Sequence, residues 1–336
     1  MPTISVPQSL LKELLKKHGI SHDAVKMGDQ LPLMGTDIDN CDEETLDIEI
    51  FPDRPDLLSG ETLAHAIRPF LHGADADPEI KTSPSGITMH VEKELKGIRP
   101  VIMAAVVRGI SLPEDAAGQE TFIKGLMDHQ EKLHFALGRG RKRASIGVHD
   151  LETIKPPFRV VATSGKHSFI PLGEDNEMDI DAILTQHPKG IDYAHLLESM
   201  ESYPLIVDAN EDVLSFPPII NGNHTTVTNK TRDFFIDVTG WDPRACEASL
   251  MLICLQLQER GGTIETVEIT TCEGDIITTP NGKAKTHYVP EELVTSLLGR
   301  SFTDAELSHA INRMGGRFSG KKDAPEGSPK HASKMS

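Results

Sequence analysis

The segment SFPPIINGNHTTVTNKTRDFFIDVTGWDPR, from Ser215 to Arg244, constrains the fold more than any other part of the chain, because strand, turn and helix signals follow one another there without a gap. Between Arg232 and Gly240 the pattern has period two: Phe234, Ile236 and Val238 fall on one face, and Phe235, Asp237 and Thr239 on the other. A strand with one wholly apolar face belongs on a core. Its second face sets a carboxylate and a hydroxyl side by side, next to an aromatic ring, and alternation by itself reads that polar face as solvated. Upstream, Pro217 and Pro218 favour an extended entry into Ile219 and Ile220, and Asn221-Gly222-Asn223 reads as a tight turn. Downstream, Asp242 caps a helix whose first residue is Pro243. That helix runs to about Arg260, buries Leu250, Ile253, Cys254 and Leu257, and stops at Gly261-Gly262.

Charge limits the partners such a strand can serve. The chain of 336 residues carries a net charge of −17, so bulk attraction to phosphates is excluded and any RNA contact must be local. The one dense basic cluster is Arg139, Arg141, Lys142 and Arg143, which leads into a strand from Ala144 to Val148 and then His149-Asp150. Taken alone it reads equally as a solvated loop or as a phosphate contact. His149 reads either as a general base or as a structural histidine paired with Asp150 or a nearby carbonyl. No second His, Cys or carboxylate stands at metal-ligand spacing, and neither common nucleotide-binding glycine motif occurs. Cys41, Cys246, Cys254 and Cys272 lack any framework spacing and are read as reduced thiols. No apolar run approaches the ~20 residues of a membrane span, and the N-terminus lacks a basic start with an apolar core. A cytoplasmic protein is expected.

The rest of the chain frames a multidomain α+β protein, with a mixed-sheet domain flanked by small α/β and helical units. Residues 1–85 form an α/β unit with a strand at 3–6, a helix through His18, a half-buried strand on Leu46, Ile48 and Ile50, and a helix capped by Ser59. Arg54, between Asp53 and Asp56, forms local ion pairs. The Gly-, Pro- and Ser-rich stretch 73–89 reads as a linker. Residues 91–273 hold the mixed sheet, including a continuous apolar strand after Pro100, a helix from Gly118 closed by Gly138, a helix over IDYAHLLESMES, and strands around Leu205 and Val213. Residues 284–318 hold two short helices, the second opened by the capping box Thr303 to Glu306. Residues 319–336 read as a disordered tail.

Three separate motifs carry a resemblance. PPIIN (217–221) followed by TRDFFIDVTG (231–240), DIEIFPDRPDLLSGE (47–61) and KRASIGVHDLETI (142–154) resemble, in order, the beta subunit of the archaeal and eukaryotic type of phenylalanyl-tRNA synthetase, over roughly residues 1–316. The resemblance implies that 91–273 is a tRNA-editing domain, that 1–85 is a platform facing a catalytic alpha subunit, and that the chain ends short of the family's later modules. It implies an aminoacyl-tRNA ligase subunit that supports aminoacylation of tRNA(Phe) and hydrolyses mischarged Tyr-tRNA(Phe), with water as nucleophile.

The site residues implied are Asp237 and Thr239 for the tyrosine hydroxyl, with Leu205, Ser215, Asn221, Phe235 and His149 around the substrate. Arg139, Arg141, Lys142 and Arg143 are placed on the tRNA. The expected partners are an alpha subunit, in a heterotetramer, and tRNA(Phe). No cofactor is expected on this chain alone, while ATP and Mg2+ belong to the assembled synthetase. The alternative is a truncated, non-catalytic paralogue that holds tRNA or a subunit as a scaffold.

Overall fold

The computed structural model describes residues 2–322, so much of the expected tail at 319–336 lies outside the described residues. At the N-terminus, β1 (Thr3–Pro7), β2 (Thr36–Cys41) and β3 (Thr45–Ile50) form an antiparallel sheet in the order β1-β3-β2. The alternating residues Ile4, Val6, Leu46, Ile48 and Ile50 are buried, as are Leu11, Leu14 and Leu15 of α1 (Gln8–Lys16). α2 (Ala24–Gln30) precedes β2, and α3 (Gly60–His72) follows β3, with Ser59 Oγ accepting the Thr62 amide as its cap. Arg54 pairs with Asp56 and donates to the Met34 carbonyl.

The large sheet has ten strands. Its order is β12 (Ile220–Asn221), β11 (Val213–Phe216), β10 (Tyr203–Val207), β7 (Phe158–Thr163), β4 (Ser83–Val91), β14 (Thr263–Thr270), β5 (Val101–Arg108), β13 (Phe234–Gly240) and β6 (Ala144–Asp150), with β15 (Ile276–Thr279) on β14. β4 runs parallel to both its neighbours, and every other pairing is antiparallel. β4 also corrects the reading of 73–89 as linker: from Ser83 onward that stretch is a strand in the middle of the sheet. A short hairpin, β8 (Ser168–Phe169) with β9 (Met178–Asp179), leads into α5 (Ile180–Gln186) and α6 (Pro188–Tyr193). The helix expected over IDYAHLLESMES is thus earlier and shorter, because Pro188 supplies its first turn.

α7 (Pro243–Glu259) packs on β5, β13 and β6, and α4 (Ala116–Ala136) packs on α7 and β6. Asp242 accepts the amides of Arg244 and Ala245, so the cap read from Asp-Pro is the cap that forms. Pro217 and Pro218 do not extend the chain. They form the turn between β11 and β12, closed by the Ile219 amide on the Phe216 carbonyl at 2.8 Å. The two edge strands of the sheet then meet through side chains. Arg141 Nη1 donates to the carbonyls of Pro218 and Ile219 at 3.1 and 2.9 Å, and Asn221 Nδ2 donates to Val148 O at 3.4 Å.

A buried polar network ties helices together away from this seam. Arg260 Nε pairs with Glu61 at 2.9 Å, Gln256 Nε2 donates to Glu61 at 3.1 Å, and Gln256 Oε1 meets His129 Nδ1 at 2.8 Å. Among the described residues, contacts divide the chain into residues 2–64 with 81–281, and residues 65–80 with 282–322. The second unit holds α8 (Glu291–Leu298), ended by Gly299 in the left-handed region, and α9 (Asp304–Arg313). Thr303 and Glu306 form the reciprocal capping box read from the sequence.

Candidate active site

In an antiparallel ladder, residues directly opposite one another share a face. The register of β5, β13 and β6 therefore sets three rows on one face: Val106, Phe235 and His149; Ala104, Asp237 and Gly147; Ile102, Thr239 and Ser145. The opposite face carries Phe234, Ile236 and Val238. Both faces are buried, with Asp237 at 1% and Thr239 at 0% exposure, which corrects the reading of a solvated polar face. The period-two pattern cannot distinguish the two cases, because the cover for the polar face comes from strands distant in sequence. Phe235 packs with Phe158, Val160, Ile206 and Leu214 in that interior, and its ring centroid is 4.4 Å from that of Phe158.

Within this apolar interior, His149 Nε2 lies 2.7 Å from Asp237 Oδ2, and His149 Nδ1 lies 2.9 Å from Thr225 Oγ1. The histidine does not pair with Asp150, which instead accepts from Thr231 and the Glu152 amide. His149 and Asp237 sit one row apart, so the bond is diagonal and crosses position 147. A Cβ there would come within 2.1 Å of Asp237 Oδ2 and 2.7 Å of His149 Nε2, so the glycine makes the contact possible. In the tautomer with its proton on Nε2, the ring donates to the carboxylate and turns Nδ1 to the Thr225 hydroxyl, whose single proton is shared between that nitrogen and the Gly222 carbonyl 3.0 Å away. Asp237 Oδ1 has no hydrogen bond among the described residues.

Thr239 is held from another direction. Arg99 Nε donates to Thr239 Oγ1 at 2.7 Å, and Arg99 Nη2 reaches the carbonyls of Thr239 and Arg141 and Ser145 Oγ at 2.8, 3.0 and 3.1 Å. Burial pulls the Arg99 pKa from its ordinary 12.5 to about 10, opposed by the nearby Asp237 carboxylate, so the guanidinium stays charged at neutral pH. Arg99, Ser145, Gly147 and Thr225 are missing from the residues singled out in the sequence. A lone arginine and proline opening a continuous apolar strand is the one signal that could have found Arg99.

The remaining expected residues separate into groups. Ser215 stands opposite Asn221 in the β11–β12 ladder, and Ser215 Oγ is buried with no hydrogen-bond partner among the described residues. Leu205 and Phe235 do not close on one another: Leu205 packs with Val207, Val213, Phe216 and Ile219 in a second core. Arg141 leaves the basic cluster altogether. Its side chain is buried, bonded to Pro218, Ile219 and Glu131, and its Cζ stands 4.3 Å from the centroid of the Tyr193 ring. Arg139, Lys142 and Arg143 are exposed, and Arg143 pairs with Asp242 at 2.5 Å. Among the described residues no group of three or more His, Cys, Asp or Glu side chains is placed to hold a metal ion, and no helix is long and apolar enough to cross a membrane.

A polar cluster on one face of a mixed sheet, spanning β5, β6 and β13, falls within a region that matches the B3/4 domain family over residues 100–269. The match to relatives is longer. The phenylalanine–tRNA ligase beta subunit of Methanococcoides burtonii is 41% identical over 314 residues, covering 94% of this chain and 56% of that protein. The corresponding subunit of Methanosarcina acetivorans is 43% identical over 285 residues, covering 85% of this chain and 51% of that protein. The chain thus spans about half the length of the curated relatives it matches. A crystal structure of an N-terminal fragment of the phenylalanyl-tRNA synthetase beta subunit from Pyrococcus horikoshii superposes with a TM-score of 0.84 at 32% identity, covering 93% of this chain and 89% of the fragment. With identity and coverage at that level, the chain belongs to the phenylalanyl-tRNA synthetase beta-subunit family.

Proposed function

We propose that this chain supplies the editing site of a phenylalanine–tRNA ligase and hydrolyses Tyr-tRNA(Phe). The need is physical: a pocket shaped for phenylalanine rejects an analogue bearing one added hydroxyl by only ~10²-fold, so a second site must remove the error. The observation that carries the reading is the Asp237 carboxylate, with Oδ2 fixed by His149 and Oδ1 uncommitted, on the sheet face that also carries Phe235 and Thr239. That oxygen accepts the hydroxyl of a tyrosyl ester and has nothing to offer a phenylalanyl ring. A hydrogen bond to a charged group contributes about 1.5–3 kcal/mol, roughly 10- to 100-fold in preference for tyrosine.

Thr239, fixed by Arg99, lines the same face, and Phe235, His149, Ser215 and Asn221 surround the substrate. Water attacks the ester carbonyl, the bond to the ribose oxygen breaks, and that oxygen leaves with a proton. Positioning of ester and water carries the rate. Arg139 and Lys142 meet the phosphates of the acceptor end.

The alpha subunit and tRNA(Phe) are the partners, in a heterotetramer, and ATP and Mg2+ serve the assembled, cytoplasmic ligase rather than this chain. The test is deacylation of the two esters by the purified chain without ATP. A companion reaction with ATP, Mg2+, phenylalanine and tRNA(Phe) yields Phe-tRNA(Phe) only when an alpha subunit is added.

A further inference from the structure

The ladder that carries Asp237 and Thr239 continues past the last residue of β13. The Trp241 amide donates to Arg143 O at 3.0 Å, and the Asp242 amide reaches the same carbonyl at 3.3 Å, so the backbone at Trp241 is fixed to the loop that precedes β6. Its indole nevertheless stands 47% exposed. Around it the charges do not cancel. Arg141 and Arg143 are spent on Glu131 and Asp242, but Arg139, Lys142 and Arg244 are exposed and have no ion pair among the described residues. This is a local cationic rim on a chain of net charge −17.

The rim is also tied to the interior. Arg99 donates both to Arg141 O and to Thr239, so one buried guanidinium joins the loop to the polar row. Along the strand, Trp241 lies two residues beyond Thr239, about 7 Å of extended chain.

We propose that Trp241 is a stacking platform for an unpaired base next to the esterified nucleotide of an RNA 3′ end, with Arg139, Lys142 and Arg244 meeting its phosphates. The proposal rests on the editing reading and adds to it the site's grip on the single-stranded RNA. Three features favour single-stranded RNA as the occupant. A rigid aromatic plane stacks on any base, an unpaired base can reach it where a base pair cannot, and uncompensated cations on the loop bonded to Trp241 and in the first turn of α7 suit the connecting phosphates. Asp237 and Thr239 select the amino acid, whereas Trp241 holds the nucleic acid whatever amino acid it carries.

Trp241 is the chain's one tryptophan, so its emission reports this contact alone. Titration with uncharged tRNA(Phe) transcript, or with a short oligoribonucleotide of the same 3′ sequence, quenches the emission to saturation; transcript lacking its unpaired 3′ nucleotides does not. By anisotropy of labelled transcript, Trp241→Ala binds roughly tenfold or more weakly than wild type, and Trp241→Phe retains most of the affinity. Thermal midpoints of both variants match wild type, since the side chain is half-exposed. Absence of binding, binding without quenching, or wild-type affinity in Trp241→Ala overturns the proposal. Uncharged RNA separates the two readings: a chain that stacks RNA on Trp241 but deacylates nothing overturns editing alone. One that edits while Trp241→Ala binds normally overturns stacking alone.

Discussion

Gly147 stands opposite Asp237 in the β13–β6 ladder, and the space left by its absent side chain is the path by which the His149 ring reaches the Asp237 carboxylate. Gly147→Ala therefore places a methyl group where the hydrogen bond now runs. With both partners buried and separated, the variant loses about 2–4 kcal/mol of stability, measured by its denaturant midpoint at unchanged m, and Tyr-tRNA(Phe) hydrolysis falls with it. A variant of wild-type midpoint would show that the diagonal contact contributes little.

Asp237 and its strand neighbours separate folding from selectivity. The period-two pattern alone predicts that Asp237→Ala is tolerated, but burial changes that outcome: alanine strands His149 Nε2 and costs about 1–3 kcal/mol. Asp237→Asn keeps the volume and a partner for His149, so it folds within about 1 kcal/mol of wild type while losing most of its preference for the tyrosyl ester. Val238→Asp, on the face against α7, buries an unpaired carboxylate and costs more than about 4 kcal/mol. Far-UV circular dichroism with urea melts orders the three variants, and an Asp237→Asn chain that is less stable than Val238→Asp would reverse the assignment of faces.

The basic loop divides by the same logic. Arg141→Ala removes the bonds to Glu131 and to the Pro218 and Ile219 carbonyls and leaves those buried carbonyls short of a donor, so it destabilises by about 1–3 kcal/mol. The double variant Arg139→Ala, Lys142→Ala stays within about 0.5 kcal/mol of wild-type stability. Its plot of log affinity for tRNA against log salt flattens by roughly 0.7–0.9 per lost phosphate contact. An unchanged slope would remove the loop from the RNA interface.

Histidines buried away from the site give the fold a pH dependence. Burial lowers the His129 pKa from 6.5 to about 4, opposed by its bond to Gln256, and burial also lowers that of His134. Between those values the unfolded chain binds a proton that the native chain refuses, so stability falls as pH drops from about 6.5 toward 4. Fully realised, His129 alone accounts for on the order of 3 kcal/mol. His129→Asn should flatten the urea midpoint against pH across this window; an unaltered profile assigns the dependence to other groups.

Local signals foretold the elements that depend on local chemistry. The Asp242 cap, α7, the Thr303 capping box and the alternation in β13 all follow from residues within a few positions of one another. The contacts that make the site do not. His149 and Asp237 are 88 residues apart, Arg99 and Thr239 are 140, and nothing in either segment says which strands will be neighbours. Composition also misled at 73–89, where Pro84 and Gly86 sit within a strand, and at Pro217-Pro218, where the chain turns instead of extending. Arg141 looked like its three basic neighbours until the fold turned its side chain inward.

Side-by-side deacylation of Tyr-tRNA(Phe) and Phe-tRNA(Phe) by the purified chain decides whether the Asp237 face removes tyrosine from tRNA(Phe). Hydrolysis of the tyrosyl ester should run roughly 10- to 100-fold faster than that of the phenylalanyl ester, with the difference largely lost in Asp237→Asn. Equal rates for both esters, at the level of buffer alone, would contradict it.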